Sequence, residues 1–98
     1  MNNQYTLIVN MKTTKQKSEH VKSELLRLME LIKVEQGCEY FVLHQDIEDE
    51  TEFVVYETWQ TKELWQKHSQ SPHMSDFNKL VNNDFTDFSV EKLITTNH

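Results

Sequence analysis

Apolar and polar residues alternate most clearly near the start of the chain, with Tyr5, Leu7, Val9 and Met11 on one side and Thr6, Ile8, Asn10 and Lys12 on the other. A period of two belongs to a strand, so residues 5–11 are predicted to form the first one. From Ser18 to Val34 the period lengthens, and Val21, Leu25, Leu28 and Ile32 fall along one face of a helix. Gly37 follows and suits the left-handed conformation that ends helices. Residues 39–47 are rich in aromatic and β-branched side chains and predict a second strand. After the acidic turn EDET, Phe53, Val55, Glu57 and Trp59 alternate with Val54, Tyr56 and Thr58, which predicts a third strand forming an antiparallel hairpin with the second.

Thr61 is a suitable N-cap for a second helix, with Glu63 in its first turn and Leu64, Trp65 and His68 at helical spacing. Pro72 cannot continue that helix and pushes Ser71 toward an extended conformation. The helix is therefore predicted to break and restart, with Ser71 as N-cap, Pro72 at the first helical position and Met74, Phe77, Leu80 and Val81 as its apolar face. A last strand over residues 86–95 sets Phe88, Val90, Lys92 and Ile94 against Asp87, Ser89, Glu91 and Leu93. The order β-α-β-β-α-β predicts one α+β, ferredoxin-like domain over residues 1–98: a four-stranded antiparallel sheet with both helices on one face. Several strands are apolar on both sides, as at Phe41 and Val42, Val54 and Val55, and Val90 and Leu93. The uncovered face needs an apolar cover, and a two-fold homodimer would supply it.

Composition narrows the possible partners. The net charge of −6 comes without a basic stripe, so nucleic acid is not expected. No apolar run approaches the ~18 residues needed to cross a bilayer, and the N-terminus lacks the basic region and cleavage site of a signal peptide, so a cytoplasmic protein is expected, away from membranes. Cys38 is the only cysteine, which leaves it as a small apolar side chain outside any internal disulfide or cysteine-rich metal site.

The stretches EQGCEYFVLHQD and EFVVYETWQTKELWQKHSQSPHMSDF, in this element order, resemble the antibiotic biosynthesis monooxygenase domain family over nearly the whole chain. The most specific parts are Gly37-Cys38, Leu43-His44, Tyr56-Glu57-x-Trp59 and His68-x-x-Ser71-Pro72-His73. The resemblance implies a dimeric α/β barrel that oxidises quinols or other polyphenolic aromatics with molecular oxygen, with no flavin, haem or metal cofactor. It also brings alternatives: haem-degrading monooxygenases, the related isomerase of a phosphorylated quorum-sensing signal, and non-catalytic ligand-binding or stress dimers. Haem-degrading relatives carry an asparagine on strand one, a tryptophan on helix two and a haem-binding histidine further on. Here Asn10 is retained, but the other two positions hold His68 and Asn78, so that iron ligand is missing. The isomerase would need basic groups for phosphate, and Arg27 is the only arginine.

Oxygenation without a cofactor needs a substrate anion that can give an electron to oxygen. A phenol titrates near ~10, so the site must supply a base or hydrogen-bond donors in a dry pocket. Histidine titrates near ~6.5 and suits the task, which makes His68, beside Leu64 and Trp65 near the helix break, the candidate base. Its alternative is a core histidine bonded to a backbone carbonyl freed by that break. Asn10 is the candidate for orienting a substrate oxygen, or else a plain strand residue. Tyr56, Trp59 and Trp65 are candidate pocket walls with Phe41, Phe53 and Phe77 behind them, or else simply core. His44 and His73 could contact substrate or be structural, while Glu57 could act as a second base or pair with Lys92. His20 and His98 are expected in solvent. A metal site from His68 and His73 is not expected, because a spacing of five across a proline differs from the i, i+4 pairs of helical zinc sites.

Overall fold

In the computed structural model, which describes residues 4–97, the first strand β1 covers Tyr5–Thr13. It is followed by a short 3-10 turn and helix α1, Ser18–Ile32. The hairpin strands are β2, Cys38–Gln45, and β3, Glu52–Trp59. Helices α2, Lys62–Ser69, and α3, Met74–Asn83, then lead into β4, Phe85–Ile94. All neighbours in the sheet are antiparallel, in the order β2-β3-β1-β4. This is the ferredoxin-like α+β arrangement expected from the alternation and the helical stripe.

The core forms where the two periodicities meet. Tyr5, Leu7, Val9 and Met11 of β1 and Phe53, Val55 and Trp59 of β3 are buried against Val21, Leu25, Leu28 and Ile32 of α1. Each side chain on the inner face is there because the strand alternates and its register pairs Leu7 with Glu57 and Val9 with Val55. Leu80 closes the core from α3.

Helix α1 ends at Ile32, short of Val34, because the chain turns at once: the Glu35 N–H donates to the Ile32 carbonyl and the Cys38 N–H to the Glu35 carbonyl. Gly37 completes this turn with φ of +88°, and a Cβ there would lie 2.6 Å from Leu64 Cδ1. Both the backbone conformation and the close approach of α2 therefore require glycine. The turn between β2 and β3 is acidic for a local reason, since the Asp46 carboxylate accepts from the N–H groups of Glu48 and Asp49.

Helix α2 starts as expected, with Thr61 Oγ1 accepting from the Leu64 N–H at 3.1 Å. The restart differs from expectation. Helix α3 begins at Met74, after a turn through Pro72, and Ser71 does not cap it. The Ser71 hydroxyl donates instead to the His68 carbonyl, which also accepts the Ser71 backbone N–H at the end of the broken helix. No helix among the described residues is long and apolar enough to cross a membrane.

Candidate functional site

Strand β4 lies at a sheet edge, and the helices cover its inner face only partly, leaving Phe88 and Val90 more than a third exposed. Between that face and helices α2 and α3 lies a cavity of about 250 Å³. Leu7, Val9, Val55 and Val90 form its floor, and Trp65, Met74 and Phe77 reach it from the helices. Ser69 at the end of α2 and Met74 at the start of α3 both line it, so the helix break at Pro72 lies beside this space. Among the described residues, five polar side chains line the cavity: Glu57, His68, Ser69, Asn78 and Lys92.

Glu57 projects inward from β3 and is 5% exposed. The indole N–H of Trp59 donates to its Oε1 at 2.7 Å. Burial pushes the Glu57 carboxyl up to about 7; the Trp59 hydrogen bond opposes this, and the charge of Glu35 reinforces it. Lys92 faces inward from β4, on the far side of Leu7 from Glu57, and its ammonium lies 5.0 Å from the centre of the Trp65 ring. Glu57 and Lys92 thus have different partners, and the ion pair considered from the sequence is replaced by a hydrogen bond and a cation–π contact.

His68 is 4% exposed and stacks on Trp59, with ring centres 4.5 Å apart. Its Nδ1 lies 2.8 Å from Glu35 Oε2. Its partner is therefore a carboxylate in the turn after α1, and not a backbone carbonyl. Burial holds the His68 imidazole below its usual titration range, with Glu35 opposing that effect. A neutral imidazole that donates Nδ1–H to Glu35 keeps the lone pair on Nε2. Nε2 has no hydrogen bond to another described residue, and no sealed side-chain nitrogen or oxygen among those residues lacks a partner. The free nitrogen is therefore accessible, on a ring that lines the cavity.

The other candidate residues divide by face. Phe41, Trp65 and Phe77 line the cavity with His68. Trp59 is fully buried behind His68 and is core, as is Phe53. Asn10, Tyr56 and His44 do not join them. They pair with Val54, Ile8 and Val54 respectively, on the outer face of the sheet away from the helices, so within this chain Asn10, the candidate for orienting a substrate oxygen, does not face the cavity that His68 lines. Asn10 contacts Glu91 there, Tyr56 packs edge-on against Tyr40, and His44 bonds to the Val54 carbonyl. His73 lies outside the cavity, with Nε2 2.8 Å from Glu35 Oε2 and 3.2 Å from the Ser71 hydroxyl. His20 is exposed near Asp84, and His98 lies outside the described residues.

Glu35 is the residue that sequence reasoning missed. It belongs to no apolar period and lies outside every helical or strand pattern; its only signal was its place two residues before Gly37, in a turn that must pack against α2.

No curated protein matches the chain closely. Among solved structures, PA3566 from Pseudomonas aeruginosa superposes with a TM-score of 0.91 at 24% identity, over 99% of this chain and 98% of that one. Rv0793 from Mycobacterium tuberculosis gives 0.88 at 18% identity, over 97% of each chain. A structure described as an antibiotic biosynthesis monooxygenase gives 0.87 at 20% identity, over 95% of this chain and 99% of that one. These likenesses establish the fold. The family model for antibiotic biosynthesis monooxygenase matches residues 4–80, which include Glu35, Glu57 and His68, and the chain belongs to that family.

Proposed function

We propose that this protein oxidises a small phenol or quinol with molecular oxygen, the substrate anion itself giving electrons to oxygen. The observation that carries this reading is an apolar cavity bearing two proton acceptors suited to neutral pH, Glu57 and His68. The Nε2 lone pair of His68 takes the phenolic proton, and Glu35 offsets the positive charge that forms on the ring. The phenolate passes an electron to oxygen, and the radical pair combines at an unsubstituted ring carbon as a peroxide. His68 returns its proton to the distal peroxide oxygen. Glu57 removes the proton from that carbon as the O–O bond breaks, leaving a carbonyl, and the departing hydroxide takes up the proton held by Glu57 and leaves as water. One oxygen atom thus enters the product and the other is reduced. The dry walls favour each charge transfer to a fixed protein group over transfer to bulk solvent.

The isomerase alternative has less support. Arg27 pairs with Glu24 and Asp76 on the surface, and among the described residues Lys92 is the only lysine or arginine lining the cavity. Oxygen uptake with a panel of benzo- and naphthoquinols and phenols, using isotopically labelled oxygen, tests the proposal. The His68→Ala variant should lose roughly a hundredfold to ten-thousandfold in rate. If no substrate consumes oxygen faster with the wild type than with that variant, the reading fails.

The working form in this proposal is a homodimer. Ile8, Val54, Tyr40 and Tyr56 lie on the sheet face opposite the helices, where a second copy would cover them. Light scattering at micromolar concentration should give twice the chain mass of 11.8 kDa. A mass equal to one chain would remove the dimer.

A further inference from the structure

The geometry points to a second site, a three-donor pocket for a divalent transition cation of the zinc class formed by Glu35, His68 and His73. Glu35 Oε2 lies 2.8 Å from His68 Nδ1 and 2.8 Å from His73 Nε2. The three donor atoms all fall within 4.8 Å of one another. Donors sharing one zinc at about 2.0–2.2 Å stand about 3 to 3.5 Å apart, so an ion requires the two 2.8 Å contacts of Glu35 to open while the two histidine nitrogens, within 4.8 Å of each other, settle to that same spacing. Two imidazoles and a carboxylate are a donor set that zinc accepts while keeping a position open.

The fold brings these groups together from three segments: the turn after α1, the end of α2 and the turn before α3. In an unbroken helix, residues five apart point about 140° away from one another. The turn through Pro72 removes that obstacle, and the Ser71 hydroxyl lies 3.2 Å from His73 Nε2, near enough to be a further oxygen donor or to hold a water. Two of the three donors, Glu35 and His68, line a separate concavity of about 430 Å³ together with Lys67, Gln70, Ser71 and Pro72, beside His73. His68 is the one residue of the three that lines both this concavity and the apolar cavity.

Occupancy has a chemical consequence. In the hydrogen-bonded cluster, His68 Nδ1 and His73 Nε2 carry protons directed at the carboxylate. A cation bonded to those nitrogens leaves the His68 proton on Nε2 and the His73 proton on Nδ1. The His68 edge then presents a donor where the proposed oxidation needs an acceptor, so the metal would act as an inhibitor. That consequence rests on the reading of His68 as a base; the binding itself does not.

Zinc and cobalt(II) are the probes. Long-range proton–nitrogen NMR of the wild-type imidazoles should show His68 and His73 changing tautomer with one equivalent of zinc, while His20 and His44 stay unchanged. Cobalt(II) should give a visible spectrum of low coordination number that zinc abolishes. Glu35→Gln, which keeps an acceptor for both histidines, and His73→Ala should each weaken binding by more than the 10–100-fold typical of an outer-shell change. Unchanged tautomers with zinc, or variants that bind as tightly as wild type, would overturn the site, and the wild-type spectrum decides even if a variant fails to fold. Zinc should also lower oxygen uptake reversibly, with a chelator restoring it. Binding without that loss supports the metal site and overturns His68 as the base.

Discussion

Replacing Glu57 with glutamine should stabilise the protein by an amount that grows by about 2–3 kcal/mol between about pH 5 and about pH 8, while removing most of the proposed turnover. The direction follows from the raised carboxyl. In the unfolded chain Glu57 titrates at an ordinary value of about 4.3, and in the folded protein burial pushes it up to about 7. Between those values the folded state holds the extra proton, so stability from this group is present at low pH and lost as pH rises through 7. Most buried carboxylates with ionic partners behave the opposite way. Glutamine keeps an oxygen for the Trp59 N–H and carries no charge, so it abolishes the pH-dependent part. Urea unfolding of both proteins across this range measures it, and a difference independent of pH would sink the assignment. The same substitution should remove the rising limb of the rate profile near 7, because glutamine cannot take the proton from carbon.

Trp59→Ala should cost about 3–5 kcal/mol, the range for large aromatic side chains deleted from a core. The ring has 0% exposure, stacks on His68 and donates to Glu57, so one truncation opens a cavity and frees both candidate proton acceptors. Trp59→Phe separates these effects. It keeps most of the packing and removes only the N–H that holds the Glu57 carboxyl down, so the rising limb should move to higher pH. Calorimetry on Trp59→Ala and rate profiles on Trp59→Phe check the two parts. A loss below about 1 kcal/mol in the first, or an unmoved limb in the second, would show that Trp59 neither seals the core nor tunes Glu57.

Much of this arrangement was legible in the residues. Period-two alternation placed Tyr5, Leu7, Val9 and Met11 on the face they occupy, and the stripe of Val21, Leu25, Leu28 and Ile32 identified the covering helix. The same alternation set Asn10 with Ile8 and Lys12, opposite Leu7, so its separation from His68 was already implied by the strand pattern. Aromatic character suggested Tyr56 as a pocket wall, but face decided its place: Glu57 turns inward and Tyr56 outward because neighbours on a strand must diverge. Pro72 marked the break, and the residues on either side of it, Ser69 and Met74, line the cavity.

The sequence by itself determined the fold, the inner and outer faces of the sheet, the Gly37 turn and the interruption of the second helix. Each is set by a local rule: side-chain periodicity, a positive φ, or a missing N–H. Only the tertiary structure decided that Glu35 lies between His68 and His73, that Trp59 bonds to Glu57, and that Lys92 lies over Trp65. Of these, the Glu35 and Lys92 contacts join residues 27 to 38 positions apart in the chain, at distances fixed by how α1, α2 and β4 pack on one sheet. No periodicity records such distances. The chemistry of the site depends on them, because burial and contact set where each proton resides.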